Sequence, residues 1–160
     1  MNTIRDASNY TLVIVDMQGS FKASRAIIEQ VKDEVALASK NGCPIVVLQY
    51  QNRGRTHDDI MRLIESSGVK HSVLWKSRDD GSAEVSRVSY ARGYPKNSFR
   101  VCGVNTHACV RRTVVGLTGR FPTSTVNVAT AACNGPVSNN WKRFPRHRNI
   151  KLIMEAAPAA

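Results

Sequence analysis

The sequence predicts an α/β fold in which a parallel β-sheet is covered by helices on both faces, a three-layer α-β-α arrangement. Strand-like and helix-like segments alternate along nearly all of the chain, and the strand-like runs are apolar throughout rather than polar at every second position. A strand needs apolar side chains on both sides only when both faces of its sheet are covered. The scale agrees: 160 residues, 42% hydrophobic and 22% charged, are enough for one domain with a sizeable core, expected to span residues 1–160.

The elements follow in order. The run YTLVIVD (10–16) is short, β-branched and apolar, so it reads as a buried strand ending in an aspartate. Ile28, Val31, Val35 and Ala38 then recur at helical spacing, and the Asn-Gly pair at 41–42 supplies a stop. PIVVLQY (44–50) is a second buried strand. In 56–68, Thr56 with Asp59 three residues on suggests a capping-box start, and Gly68 ends the helix. HSVLWK (71–76) is a third strand, and 82–92 is a weak helix with Val85 and Val88 on its apolar side. SFRVCGV (98–104) is a fourth strand; Val110, Val114 and Leu117 keep helical spacing until GRFP (119–122) breaks it. TSTVNVAT (123–130) and IKLIM (150–154) complete six strands, and the tail EAAPAA is expected to fray.

Composition narrows the function classes. No apolar run approaches the length needed to cross a bilayer, so no membrane role is expected. MNTIRDASNY lacks the basic-then-apolar layout of a secretory signal, and the expected compartment is the cytoplasm. Cys43, Cys102, Cys109 and Cys133 form no C-x-x-C pair, which removes zinc-ribbon and thioredoxin readings and leaves free thiols. The net charge of +11, with a pI near 10.0, favours anionic partners without specifying a fold.

In parallel α/β sheets, ligands bind beyond the carboxyl ends of the strands, where the strand order reverses. Three residues of reactive type stand at such ends: Asp16 after the first strand, Lys76 closing the third, and Cys109 at the start of the helix after the fourth. With Thr106 as N-cap, Cys109 would lie among unpaired N–H groups, where the helix dipole and a nearby ammonium lower a thiol's pKa. An aspartate within reach could accept the thiol proton. Each residue also has a plainer explanation: a small core cysteine, a turn-forming aspartate, a lysine whose stem lies on Trp75. Their joint placement favours chemistry. His107, two residues before Cys109, points to another face and is expected to contact solvent or a pocket rim. A zinc site of Cys102, His107 and Cys109 fails because Cys102 lies inside a strand.

TLVIVDMQGSF and VCGVNTHACVRRT together resemble the isochorismatase-like cysteine hydrolase superfamily, which includes the nicotinamidases. Asp16, Gln18 and Phe21 match its first motif; Gly103, Val104, Thr106, Cys109 and Val110 match its last; Lys76 fits the lysine between them. The resemblance implies a Rossmann-like six-stranded parallel sheet ordered 3-2-1-4-5-6, in a single hydrolase domain. It implies Cys109 as nucleophile, Asp16 as base and Lys76 as stabiliser of the thiolate. It also implies a cis peptide at Val104–Asn105, with the backbone N–H groups of Asn105 and Cys109 forming an oxyanion hole. The reaction would be hydrolysis of a small amide-like C–N bond through a thioester, with no cofactor and with Phe21, Tyr50 and Trp75 as candidate substrate-binding walls. Family members are commonly oligomers, so a homo-oligomer is expected.

There are departures from the family pattern. LQYQNRGRTHDD contains no Asp-x-His metal spacing, so no metal is expected and nicotinamidase itself is disfavoured. Cysteine is as a rule absent from enzymes that cleave the vinyl ether of isochorismate, which disfavours that activity. Glu84 stands where a phenylalanine is usual, and Thr130 where an aspartate is usual. Two rival readings remain. One is a hydrolase scaffold kept for binding without turnover. The other is nucleic-acid binding through NNWKRFPRHRNIK (139–151), where Trp141 and Phe144 are interleaved with Lys142, Arg143, Arg146, Arg148 and Lys151.

Overall fold

A computed structural model describes residues 9–134 and 140–160. Residues 1–8, on which the expectation about the N-terminus rests, and Asn139 of the basic segment lie outside the described residues. The elements are β1 (Thr11–Val15), α1 (Arg25–Lys40), β2 (Ile45–Tyr50), α2 (Asp58–Ser67), β3 (His71–Lys76), α3 (Ser82–Arg92), β4 (Ser98–Gly103), α4 (Arg111–Arg120), β5 (Thr125–Cys133) and β6 (Ile150–Ile153). All six strands pair in parallel, in the order β3-β2-β1-β4-β5-β6. This is the three-layer, Rossmann-like sheet expected. Among the described residues no helix is long and apolar enough to cross a membrane.

Alternation along each strand divides the core in two. Leu12 and Ile14 of β1 and Ile45 and Val47 of β2 pack with Ile28, Val31, Ile60 and Ile64 of α1 and α2. Val13, Val15, Val46 and Leu48 pack on the opposite face with Val85, Val110, Val114 and Leu117. Most of these side chains are fully buried, each contributing about 1.5–3 kcal/mol over its exposed state. A buried ion pair crosses the first layer: Glu34 of α1 meets Arg100 of β4 at 2.5 and 2.9 Å.

The structure corrects three local expectations. α2 begins at Asp58 rather than with Thr56 as its cap, because the Thr56 N–H and hydroxyl both donate to Gln49 Oε1, at 2.7 and 2.9 Å, closing the preceding loop. Asp59 pairs instead with Arg25. β3 is not buried throughout: it is an edge strand, and Val73 and Trp75 are exposed on its α2 side.

The order reverses between β1 and β4, and Gly103 makes that junction close. Its φ is +118°, and a Cβ there would sit 2.1 Å from the Val15 carbonyl oxygen. Only glycine permits both the backbone conformation and the contact. Asp16 and the turn carrying Cys109 leave the sheet on either side of this point.

Candidate active site

Asp16 follows β1 in a left-handed conformation, φ +51°, and its side chain is buried. Lys76 closes β3, two strands and roughly 10 Å from β1, and its long stem crosses that gap. Its Nζ lies 2.9 Å from Asp16 Oδ2, with both side chains shielded from solvent. The same ammonium sits 4.3 Å from the centre of the Tyr50 ring and donates to the carbonyls of Arg78 (2.9 Å) and Asp79 (3.4 Å). The 77–81 loop therefore folds over Lys76, and α4 holds it there: Gly81 N–H donates to Thr113 Oγ1 at 3.0 Å.

Cys109 lies in a wide, π-helical turn, Thr106–Val110, that leads into α4. The peptide before Asn105 is cis. Asn105, not Thr106, caps the turn; the Thr106 hydroxyl donates to the Asn134 carbonyl instead. The Asn105 carbonyl accepts from Ala108 (3.1 Å) and Val110 (3.2 Å), passing over the Cys109 N–H between them. Cys109 is 7% exposed; its thiol donates to Asp79 Oδ1 at 3.7 Å, and the Asp16 carboxylate and Lys76 ammonium lie close enough to act on it electrostatically.

The electrostatics differ from those expected of the sequence. Burial, followed by the adjacent Asp16 carboxylate, pushes the Cys109 thiol up to about 12; Lys76 opposes this more weakly. Burial raises the Asp16 carboxyl above its usual range, offset in part by the neighbouring Cys109 thiol and by Lys76. The thiol proton is thus held more tightly than in a free cysteine, rather than loosened as the helix start and the ammonium would suggest.

Of the candidate wall residues, Phe21 and Tyr50 meet edge to face, with centroids 6.4 Å apart, beside the Lys76 ammonium. Trp75 does not join them: side chains alternate along β3, so the residue before Lys76 faces α2, where it is 46% exposed. His107 is half-buried, with its ring 6.3 Å from Phe144. Cys102 is in the opposite core layer from Cys109, and Thr130 donates to the Ile153 carbonyl, tying β5 to β6. Gln18 is buried, donating to the Tyr50 and Gly54 carbonyls and accepting from Tyr50 N–H, which fixes the loop after β2. Among the described residues no three His, Cys, Asp or Glu side chains gather as a metal site.

Sequence reasoning missed Asp79, Arg112 and Arg53. Asp79 Oδ2 faces Arg112 Nε at 3.6 Å, and the Arg53 guanidinium stands 5.8 Å over the Phe21 ring. The signal for Asp79 was its position in the loop just beyond a strand's carboxyl end, three residues after Lys76.

No protein-family model and no curated protein matches the sequence. Solved structures do. The N-carbamoylsarcosine amidase of Thermoplasma acidophilum is 19% identical, with 90% of this chain and 95% of that one covered and a TM-score of 0.71. The nicotinamidase of Staphylococcus aureus is 16% identical over 92% and 98%, with a TM-score of 0.76. The YcaC gene product of Escherichia coli, described as an octameric hydrolase of unknown specificity, is 14% identical over 80% and 65%, with a TM-score of 0.65. The chain shares its fold with these proteins.

Proposed function

We propose that the chain is a cysteine-dependent hydrolase of a small amide-like C–N bond, acting through a thioester on Cys109. One observation carries the reading: a thiol, a buried carboxylate and a buried ammonium converge at the strand-order reversal, with Asp16 and Lys76 2.9 Å apart. That an N-carbamoylsarcosine amidase and a nicotinamidase have the same fold adds support.

The chemistry starts from a protonated thiol, so Asp16 must take the proton as Sγ attacks the carbonyl carbon. The C–N bond then breaks, Asp16 passes that proton to the departing amine, and an acyl–sulfur bond remains. Water attacks the thioester, giving up its proton by way of Asp16 to Sγ; the acid leaves and the thiol is restored. Lys76 keeps Asp16 anionic in a dry site and balances the charge moving between carboxylate and sulfur. The N–H groups of Asn105 and Cys109 are the donors proposed for the oxyanion. Phe21 and Tyr50 would wall the acyl group, while the exposed Asp79–Arg112 pair forms the mouth.

The test is a panel of small primary amides and carbamoyl compounds, quenched in acid and mapped by peptide mass spectrometry. The expected result is amine or ammonia release with a transient acyl group on Cys109, both abolished in Cys109→Ala. Turnover retained in that variant would sink the reading. Self-association belongs to the same proposal, supported by the octameric YcaC structure and by exposed Tyr90 and Val115 on α3 and α4. Light scattering that shows only a monomer would overturn it.

A further inference from the structure

Between Glu84 and Glu155 the sequence contains no aspartate or glutamate, yet the same stretch holds twelve lysines and arginines. Two of these find carboxylates elsewhere: Arg100 meets Glu34 and Arg112 meets Asp79. Lys142, Arg143, Arg146, Arg148 and Lys151 are all exposed, and none makes an ion pair among the described residues. Five uncompensated cations within ten residues are a concentrated field.

The segment that carries them is built. Trp141–Arg143 form a 3-10 turn capped by the Asn140 side chain, Phe144 is 3% exposed, and the Asn149 side chain donates to the Pro122 carbonyl. The Trp141 ring meets Phe144 at 5.3 Å and stays half-buried. Between this turn and β6 runs a groove of about 470 Å3, floored by Trp141, Phe144 and Leu152 and rimmed by Lys142, Arg146 and His147. Phe144 also touches His107, so the groove adjoins the turn of Cys109.

We propose that this groove docks a single-stranded nucleic acid, a base entering the apolar floor beside Trp141 and the phosphates meeting the cationic rim. The chemistry selects this occupant. A duplex keeps its base faces stacked and would use only the cations; an acidic peptide would use the cations and leave the aromatic floor unfilled. The site is independent of the hydrolase reading, since it includes none of Asp16, Lys76 or Cys109.

The experiment is fluorescence anisotropy with a labelled oligo-uridylate of about twelve nucleotides at roughly physiological salt. The expected result is binding that Lys142→Glu with Arg146→Glu weakens at least tenfold, with the salt slope reduced by about 1.4. Lys70→Glu with Arg87→Glu, an equal charge change at exposed positions elsewhere, should weaken it less than threefold. In Trp75→Phe, where Trp141 is the remaining tryptophan, the oligonucleotide should quench its fluorescence. Equal weakening by the two charge reversals would overturn the proposal, as would displacement by polyglutamate or duplex as readily as by the single strand. Unquenched Trp141 would overturn it even if the reversed variants failed to fold.

Discussion

Cys109 stands between two carboxylates in different surroundings. Asp16 lies inside, sealed against Lys76; Asp79 lies at the mouth, 3.7 Å from the sulfur and about half exposed. A charge at that distance in a wet site is worth about 1 kcal/mol. Asp79→Asn should therefore raise the rate of Cys109 alkylation by anionic iodoacetate relative to neutral iodoacetamide by about fivefold. An unchanged ratio would mean that Asp79 does not screen what reaches the thiol. At this scale the positions of Asp16, Lys76 and Cys109 were legible, since each ends a strand or begins the helix after one. The state of the thiol was not. The ammonium and helix start that lower a thiol's pKa can be read from sequence order, whereas the burial that raises it depends on how the 77–81 loop and α4 close over the site.

At the level of elements, the most consequential contact outside the site is the Glu34–Arg100 pair joining α1 to β4. Both side chains are largely withdrawn from water, so removing one partner strands the other. Arg100→Ala or Glu34→Ala should cost about 3–5 kcal/mol in urea unfolding, and replacing both with apolar residues should recover most of it. Losses that simply add would show that the two side chains stabilise separately. This pair left little trace in the sequence, because Arg100 interrupts an otherwise apolar strand and its partner is far away in the chain. Strand existence was legible from apolar runs, and the edge position of β3 only from the order that the resemblance implies. The direction of Trp75 was not: alternation turns it toward α2, and without a neighbour beyond β3 it stays exposed. Thr56 was misread because a side-chain amide, Gln49, competed for it.

For the whole molecule, all four cysteines titrate above the ordinary thiol range in the folded chain, Cys109 and Cys133 up to about 12, chiefly through burial. The folded state then holds thiol protons that the unfolded chain loses near ~8.5, so stability is full below that pH and falls as pH rises toward 12. Each group contributes up to about 1.4 kcal/mol per pH unit in that window. The melting temperature should decline steeply above about pH 9, and Cys133→Ala should flatten the decline. A melting temperature constant to pH 11 would contradict the burial. The helices on both faces agree with what alternation and buried strands predict, and the sheet order with what the resemblance implies.

The account turns on the coupling of Cys109, Asp16 and Lys76, and one measurement tests it without a substrate. Alkylation of each cysteine by iodoacetamide, followed against pH by peptide mass spectrometry, is compared in the native chain, Asp16→Asn and Lys76→Met. In the native chain Cys109 should titrate well above ~8.5. Asp16→Asn removes an adjacent negative charge that raises it, so the apparent pKa should fall by at least one unit; Lys76→Met removes an opposing charge, so it should rise. A Cys109 profile that both substitutions leave unmoved would contradict the account.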